Sequence, residues 1–130
     1  MRLANAHDEL VTALEQLQDE IPELQVYGYR NPNPTPPSID VYPAGTFQEG
    51  SGFGEAEKRV FYVIRARAAM NDPEAGQRIL LRLLDPDDPA SVEAAAATVD
   101  AVVGAEQTVT GFTDEPDGMI SATWEVGMFI

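Results

Sequence analysis

The sequence predicts an α+β domain: a mostly antiparallel sheet with flanking helices, in the order α-β-β-β-α-α-β-β. Three observations carry this. In Arg59–Ala69, Val60, Tyr62, Ile64, Ala66 and Ala68 alternate along one strand face. Phe61 and Val63 make the other face apolar at its start, which places the strand centrally. Two helix-like segments follow, each opened by an Asp-Pro step, Asp72-Pro73 and Asp88-Pro89. The last segment then alternates again, with Ile120, Ala122, Trp124, Val126, Met128 and Ile130 on one face.

The remaining elements follow in order. Leu3, Ala6, Leu10, Leu14, Leu17 and Ile21 repeat at spacings of three and four, the apolar stripe of an amphipathic helix that ends near Glu20 before Pro22. Gln25–Tyr29 reads as a short strand. The segment 31–37, with Pro32, Pro34, Pro36 and Pro37, cannot form a ladder and reads as an extended connector. Ile39–Tyr42 alternates as a second strand closed by Pro43, expected antiparallel to the first. Residues 44–57 hold Gly45, Gly50, Gly52 and Gly54 without periodicity, and are expected to be a mobile loop. In the first Asp-Pro segment Ile79, Leu80, Leu83 and Leu84 face the core, with Arg78 and Arg82 on the flank. In the second, Val92, Ala95, Ala96, Val99, Val102 and Val103 form the buried stripe and Gly104 ends the helix. Gln107–Phe112 is a weaker strand, expected to form a hairpin with the last one across the Asp117-Gly118 step.

Composition narrows the function classes. At 130 residues the chain is read as a single domain, 1–130, able to bury roughly two-thirds of its unfolded surface. It has no apolar run long enough to cross a membrane, and its first residues do not read as a signal peptide. The absence of cysteine excludes thiolate metal sites, disulfides and cysteine nucleophiles. The net charge of −14, from 22 acids against 8 bases, repels nucleic acid and anionic membranes. It serves solubility, or a surface that must stay near DNA without gripping it.

No motif assembles a catalytic, cofactor or metal site. Gly50-Ser-Gly-Phe-Gly54 has the glycines of a phosphate loop, but acids flank it and a strand follows instead of a helix. Asp85, Asp87 and Asp88 are hard-cation ligands by type, yet Ala90 and Ala96 stand where a calcium loop needs glycine and glutamate, so helix capping explains these acids. His7 has no nucleophile or acid at a motif spacing and reads as a surface histidine. Phe47 and Phe53 are unfavourable to leave in water and are candidates for a contact that orders on assembly. Arg65 and Arg67 share a strand face, and either pair with acids of the chain or bridge to a neighbouring subunit.

The segment Arg78-Ile-Leu-Leu-Arg-Leu-Leu-Asp-Pro-Asp-Asp-Pro-Ala-Ser-Val-Glu-Ala-Ala-Ala96, with Gly111-Phe-Thr-Asp, Ser121-Ala-Thr-Trp-Glu-Val126 and Val26-Tyr-Gly-Tyr-Arg-Asn-Pro, resembles small virion proteins of long-tailed phages. It is similar to the tail terminator, or tail completion, proteins of phages that infect high-GC hosts, from Leu10 to the C-terminus. The same segments also resemble head-completion and other neck proteins of this size. The resemblance implies a homo-oligomeric ring of six copies, made in the host cytoplasm and placed at the head–tail junction of the virion. There it would cap the tail tube protein and join the head–tail connector protein, with DNA passing through without specific binding. The resemblance carries over no enzymatic residue and no cofactor. The competing reading is an acidic binding module or DNA mimic, which the scatter of acids through caps and turns disfavours.

Overall fold

A computed structural model describes residues 2–49, 59–107, 112–115 and 117–129, with side chains for all of these except 46–49 and 106–107. The element order is α1 (Leu3–Glu15), a 3₁₀ turn (Gln16–Asp19), β1 (Gln25–Tyr27), β2 (Ser38–Glu49), β3 (Arg59–Ala69), α2 (Pro73–Leu84), α3 (Val92–Ala97), β4 (Val102–Gln107), β5 (Thr113–Asp114) and β6 (Met119–Phe129). The fold is α+β. Its six strands form one mixed sheet in the order β1-β2-β3-β6-β4, with β5 pairing β6 on the edge that β4 also occupies.

The alternation of β3 and β6 sets the layers. They pair antiparallel from Arg59↔Phe129 to Ala69↔Met119 without a register shift. Opposite residues therefore share a face: Tyr62 with Val126, Ile64 with Trp124, Ala66 with Ala122. Ile39 and Val41 of β2 join the same row. Onto this face pack Leu10 and Leu14 of α1, Leu80 and Leu83 of α2, and Val92 and Ala96 of α3, all in one buried cluster with Trp124 at 0% exposure.

Helix ends follow local chemistry. The Asp72 side chain caps α2 by accepting from the Ala75 N–H, with Pro73 in the first turn. Gly76 lies where α2 crosses the end of β3; a Cβ there would collide with the Ala69 carbonyl oxygen. Glycine thus permits the close approach that sets the distance of α2 from the sheet.

Several elements differ from what the sequence predicts. β1 and β2 are parallel, not antiparallel, with Gln25↔Ser38 to Tyr27↔Asp40 in register. The connector 28–37 doubles back instead of turning over, and its middle is held by side chains of β2 and β3. β2 does not end at Pro43 but runs to Glu49, so residues 44–49 of the expected loop are strand and 50–57 lie outside the described residues. The ladder absorbs Pro43, which has no N–H, by a register shift between Pro43 and Gln48. The third helix stops at Ala97. Thr98, Val99 and Val102 donate to carbonyls three residues back as the helix unwinds, and the β-branched Val102 and Val103 enter β4. Val99 and Val102 keep their places in or against the core, while Val103 is 54% exposed on the opposite face. Of the expected strand at 107–112, Gln107 closes β4 and residues 108–111 lie outside the described residues; the described partners of β6 on this edge are β4 and the two-residue β5. Asp85 and Asp88 hold turns instead of a helix start, accepting from the Asp87 and Ala90 N–H groups, and Ser91 caps α3. Backbone donation from Ala90, then Arg82, holds the Asp88 carboxyl below its usual range.

Two substitutions test this packing. Trp124→Ala should lower unfolding free energy by about 3–5 kcal/mol, read as a shifted denaturant midpoint; an unchanged midpoint removes Trp124 from the core. Helix propensity alone makes Gly76→Ala stabilising by about 1 kcal/mol. The collision with Ala69 reverses the sign, and a loss of about 1–3 kcal/mol is expected. A higher melting temperature for Gly76→Ala would show that α2 does not lie that close to β3.

Candidate interaction surface

The second face of the sheet has no helix on it among the described residues. It carries the other half of each alternation: Arg59, Phe61, Val63, Arg65 and Arg67 from β3, Asp40 and Tyr42 from β2, and Thr123, Glu125, Gly127 and Phe129 from β6. Its two ends differ in chemistry.

At one end is an ionic cluster centred on Asp40, whose side chain is fully buried. Arg67, itself 5% exposed, forms a buried ion pair with the Asp40 carboxylate and donates to the Asn31 carbonyl at 2.7 Å. The Asn31 N–H in turn donates to Asp40 at 3.1 Å. These bonds tie the proline-rich connector to the sheet and hold it beside β2. Arg65 lies 3.8 Å from Asp40 and 3.9 Å from Glu115, close enough for charge attraction and too far for hydrogen bonds. Burial raises the Asp40 carboxyl above its ordinary 3.8, outweighing the Asn31 N–H and the two guanidinium groups that lower it. The folded protein then binds more protons than the unfolded chain between 3.8 and the raised value, so titration of Asp40 lowers stability as the pH rises through that window.

Tyr42 continues the array. The Arg30 and Arg65 guanidinium carbons lie 5.5 and 5.9 Å from its ring centroid. At the far end the face is apolar: Phe61 sits beside Gly127 and Val103, Arg59 lies over the Phe61 ring at 5.1 Å, and Phe129 is 47% exposed.

A second feature adjoins Arg30. A cleft of about 730 Å³ opens between the start of α1 and β2, lined by Leu3, His7, Tyr29, Arg30, Tyr42 and Tyr62 among others. His7 is not a free surface residue. Its Nε2–H donates to the Gly28 carbonyl at 2.7 Å, and its ring lies 5.4 Å from that of Tyr62. Burial, and then the charge of Asp8, push the Tyr62 phenol above its ordinary value, so it stays protonated at neutral pH.

Charge is divided between the layers. Residues 2–24 and 70–101, which build the helical side, carry thirteen acids against three bases, Arg2, Arg78 and Arg82. Arg30, Arg59, Arg65 and Arg67 belong to the second side of the sheet or its rim, together with the acids Asp40, Glu115, Asp117 and Glu125.

Of the residues singled out by sequence, the structure brings Arg65 and Arg67 together and gives both partners within the chain. Phe47 lies in β2 with its side chain outside the described residues, and Phe53 lies outside them altogether. Sequence reasoning passed over Asp40, which reads as one more outward polar position between Ile39 and Val41. Only the pairing Asp40↔Arg65, with Ser38↔Arg67 beside it, makes it the centre of the cluster. No group of acidic or histidine side chains among the described residues is arranged to hold a metal ion. No protein-family model matches the chain, and a search of the curated proteins finds no significant match.

Asp40→Ala should destabilise the protein by about 3–5 kcal/mol, because it leaves Arg67 buried without its counter-charge. Replacing Asp40 and Arg67 together by Leu and Met should recover most of that loss, as seen in chemical denaturation. A double variant as unstable as Asp40→Ala would mean that the pair contributes more than mutual neutralisation.

Proposed function

We propose that this chain is a structural virion protein whose copies associate side by side into a ring at the head–tail junction of a long-tailed phage, as a tail terminator does. The observation that carries this reading is the division of the surface: a sheet face with arginine and aromatic residues and, among the described residues, no helix on it, and an acidic helical layer on the other side. Two unlike faces on one subunit can meet head to tail, and head-to-tail contact closes into rings when the rotation between subunits allows it. The α+β fold agrees with the architecture the resemblance implies. In this reading the tail tube protein and the connector protein contact the two rims, and the remaining acids keep the channel from gripping DNA. Phe47 and Phe53 would contribute to the contacts made on assembly.

The acidic helical layer also gives the second reading its support, an acidic module that occupies a DNA-binding protein. Light scattering and electron microscopy of the purified protein separate the two. The ring reading expects closed rings whose mass is a multiple of the 14.1 kDa subunit, with six copies per ring. Replacing Phe47 and Phe53 by serine should leave folding intact and reduce ring formation. A protein that remains monomeric at all concentrations, and binds a DNA-binding protein in competition with DNA, would contradict the ring and establish the mimic.

A further inference from the structure

Resting on the ring reading, and naming the contact that builds it, we propose that the pocket between Arg30, Arg65 and Arg67 receives an aspartate or glutamate carboxylate from the helical layer of a second copy of this chain. The pocket has a volume of about 490 Å³ and is lined by Arg30, Pro32, Arg65, Arg67, Glu115 and Asp117. That is ample for a carboxylate arm and its approach.

Two observations point to a ligand. The Nε atoms of Arg65 and Arg67 are buried and have no hydrogen-bond partner among the described residues. A buried guanidinium N–H left unmade is costly, and only an acceptor satisfies it. Secondly, the acids already present do not meet these donors, although Asp40 Oδ1 is itself buried without a hydrogen-bond partner among the described residues. Asp40 is shared by two guanidinium groups, and both ion pairs of Arg65 are longer than a hydrogen bond. A planar carboxylate is the acceptor that a guanidinium edge binds with two parallel bonds. Arg30, exposed and stacked at Tyr42, stands at the mouth of the pocket to guide the incoming charge.

The occupant follows from charge. Glu115 and Asp117 on the rim crowd out an extended polyanion such as nucleic acid, and leave the three guanidinium groups facing one carboxylate. The densest supply of such groups is the helical layer of another copy, with thirteen acids against three bases. The pocket and the donor lie on different layers of the subunit, so each copy gives a carboxylate to one neighbour and receives one from the other.

The test measures self-association of the full chain by sedimentation and electron microscopy, for wild type, Arg30→Glu, Arg65→Gln and Arg65→Lys. Circular dichroism melts confirm folding. Arg67 continues to neutralise Asp40 in all three variants. The proposal expects each variant to raise the dissociation concentration at least tenfold. Arg65→Lys falls with the others because it keeps the charge but loses the fork. Sodium acetate should also dissociate wild-type assemblies at concentrations where sodium chloride of equal ionic strength does not. Rings that form equally well in all variants, or that respond alike to acetate and chloride, would overturn this contact and leave the ring reading standing. A wild-type chain that stays monomeric overturns both.

Discussion

The structure depends on the pairing of β3 with β6. Two eleven-residue strands run antiparallel in continuous register, and every other pair is apolar on the same face. Side-chain direction in a strand has a period of two, so a slip of β3 by one residue would drive Arg65 and Arg67 into the helical core and turn Ile64 outward, and a slip of β6 would turn Trp124 outward. The hydrophobic row therefore fixes the register. The register in turn decides where every charged group on the second face must stand.

The rest is built on that frame. Leu10, Leu14, Leu80 and Leu83 close the inner face, and Gly76 sets how near α2 can come. On the outer face, β2 in register with β3 brings Asp40 to Arg65, with Arg67 beside it. The Asn31 bonds to both members of the buried pair then anchor a connector whose prolines cannot anchor themselves in a ladder. A fully buried carboxylate is tolerated because two guanidinium groups and a backbone N–H face it. The same cluster that secures the connector leaves arginine donors over for a further acceptor. In this way a local device of folding stability becomes the candidate for a contact between subunits.

The sequence made the strongest periodicities legible. β3 is bounded as its alternation predicts, and Trp124 lies where the last strand places it. The start of α2 is equally readable, with Asn71 or Asp72 as its cap before Pro73, and the structure places the cap at Asp72. What escaped depended on long-range pairing. Val99, Val102 and Val103 fit a helical stripe at spacings of three and four, but β-branching and an open edge of β6 draw the last two into β4. The direction of β1 against β2 turns on how the connector is held by Asp40 and Arg67, which no local pattern encodes. His7 reads as isolated in sequence because its partner, the Gly28 carbonyl, lies at the start of the connector after β1. Proline at 43 reads as a stop until the irregular ladder beside it is seen.

Native-state amide hydrogen exchange of the protein in solution tests the central claim most directly. If the β3–β6 pairing is the frame on which the other elements depend, the slowest amides lie in Val60–Ala68 and Ile120–Met128 and exchange only through global unfolding. Those of β1, β4 and the connector should exchange faster, through local opening. Slowest exchange in α1 or α2, with β3 and β6 opening independently of one another, would contradict the account.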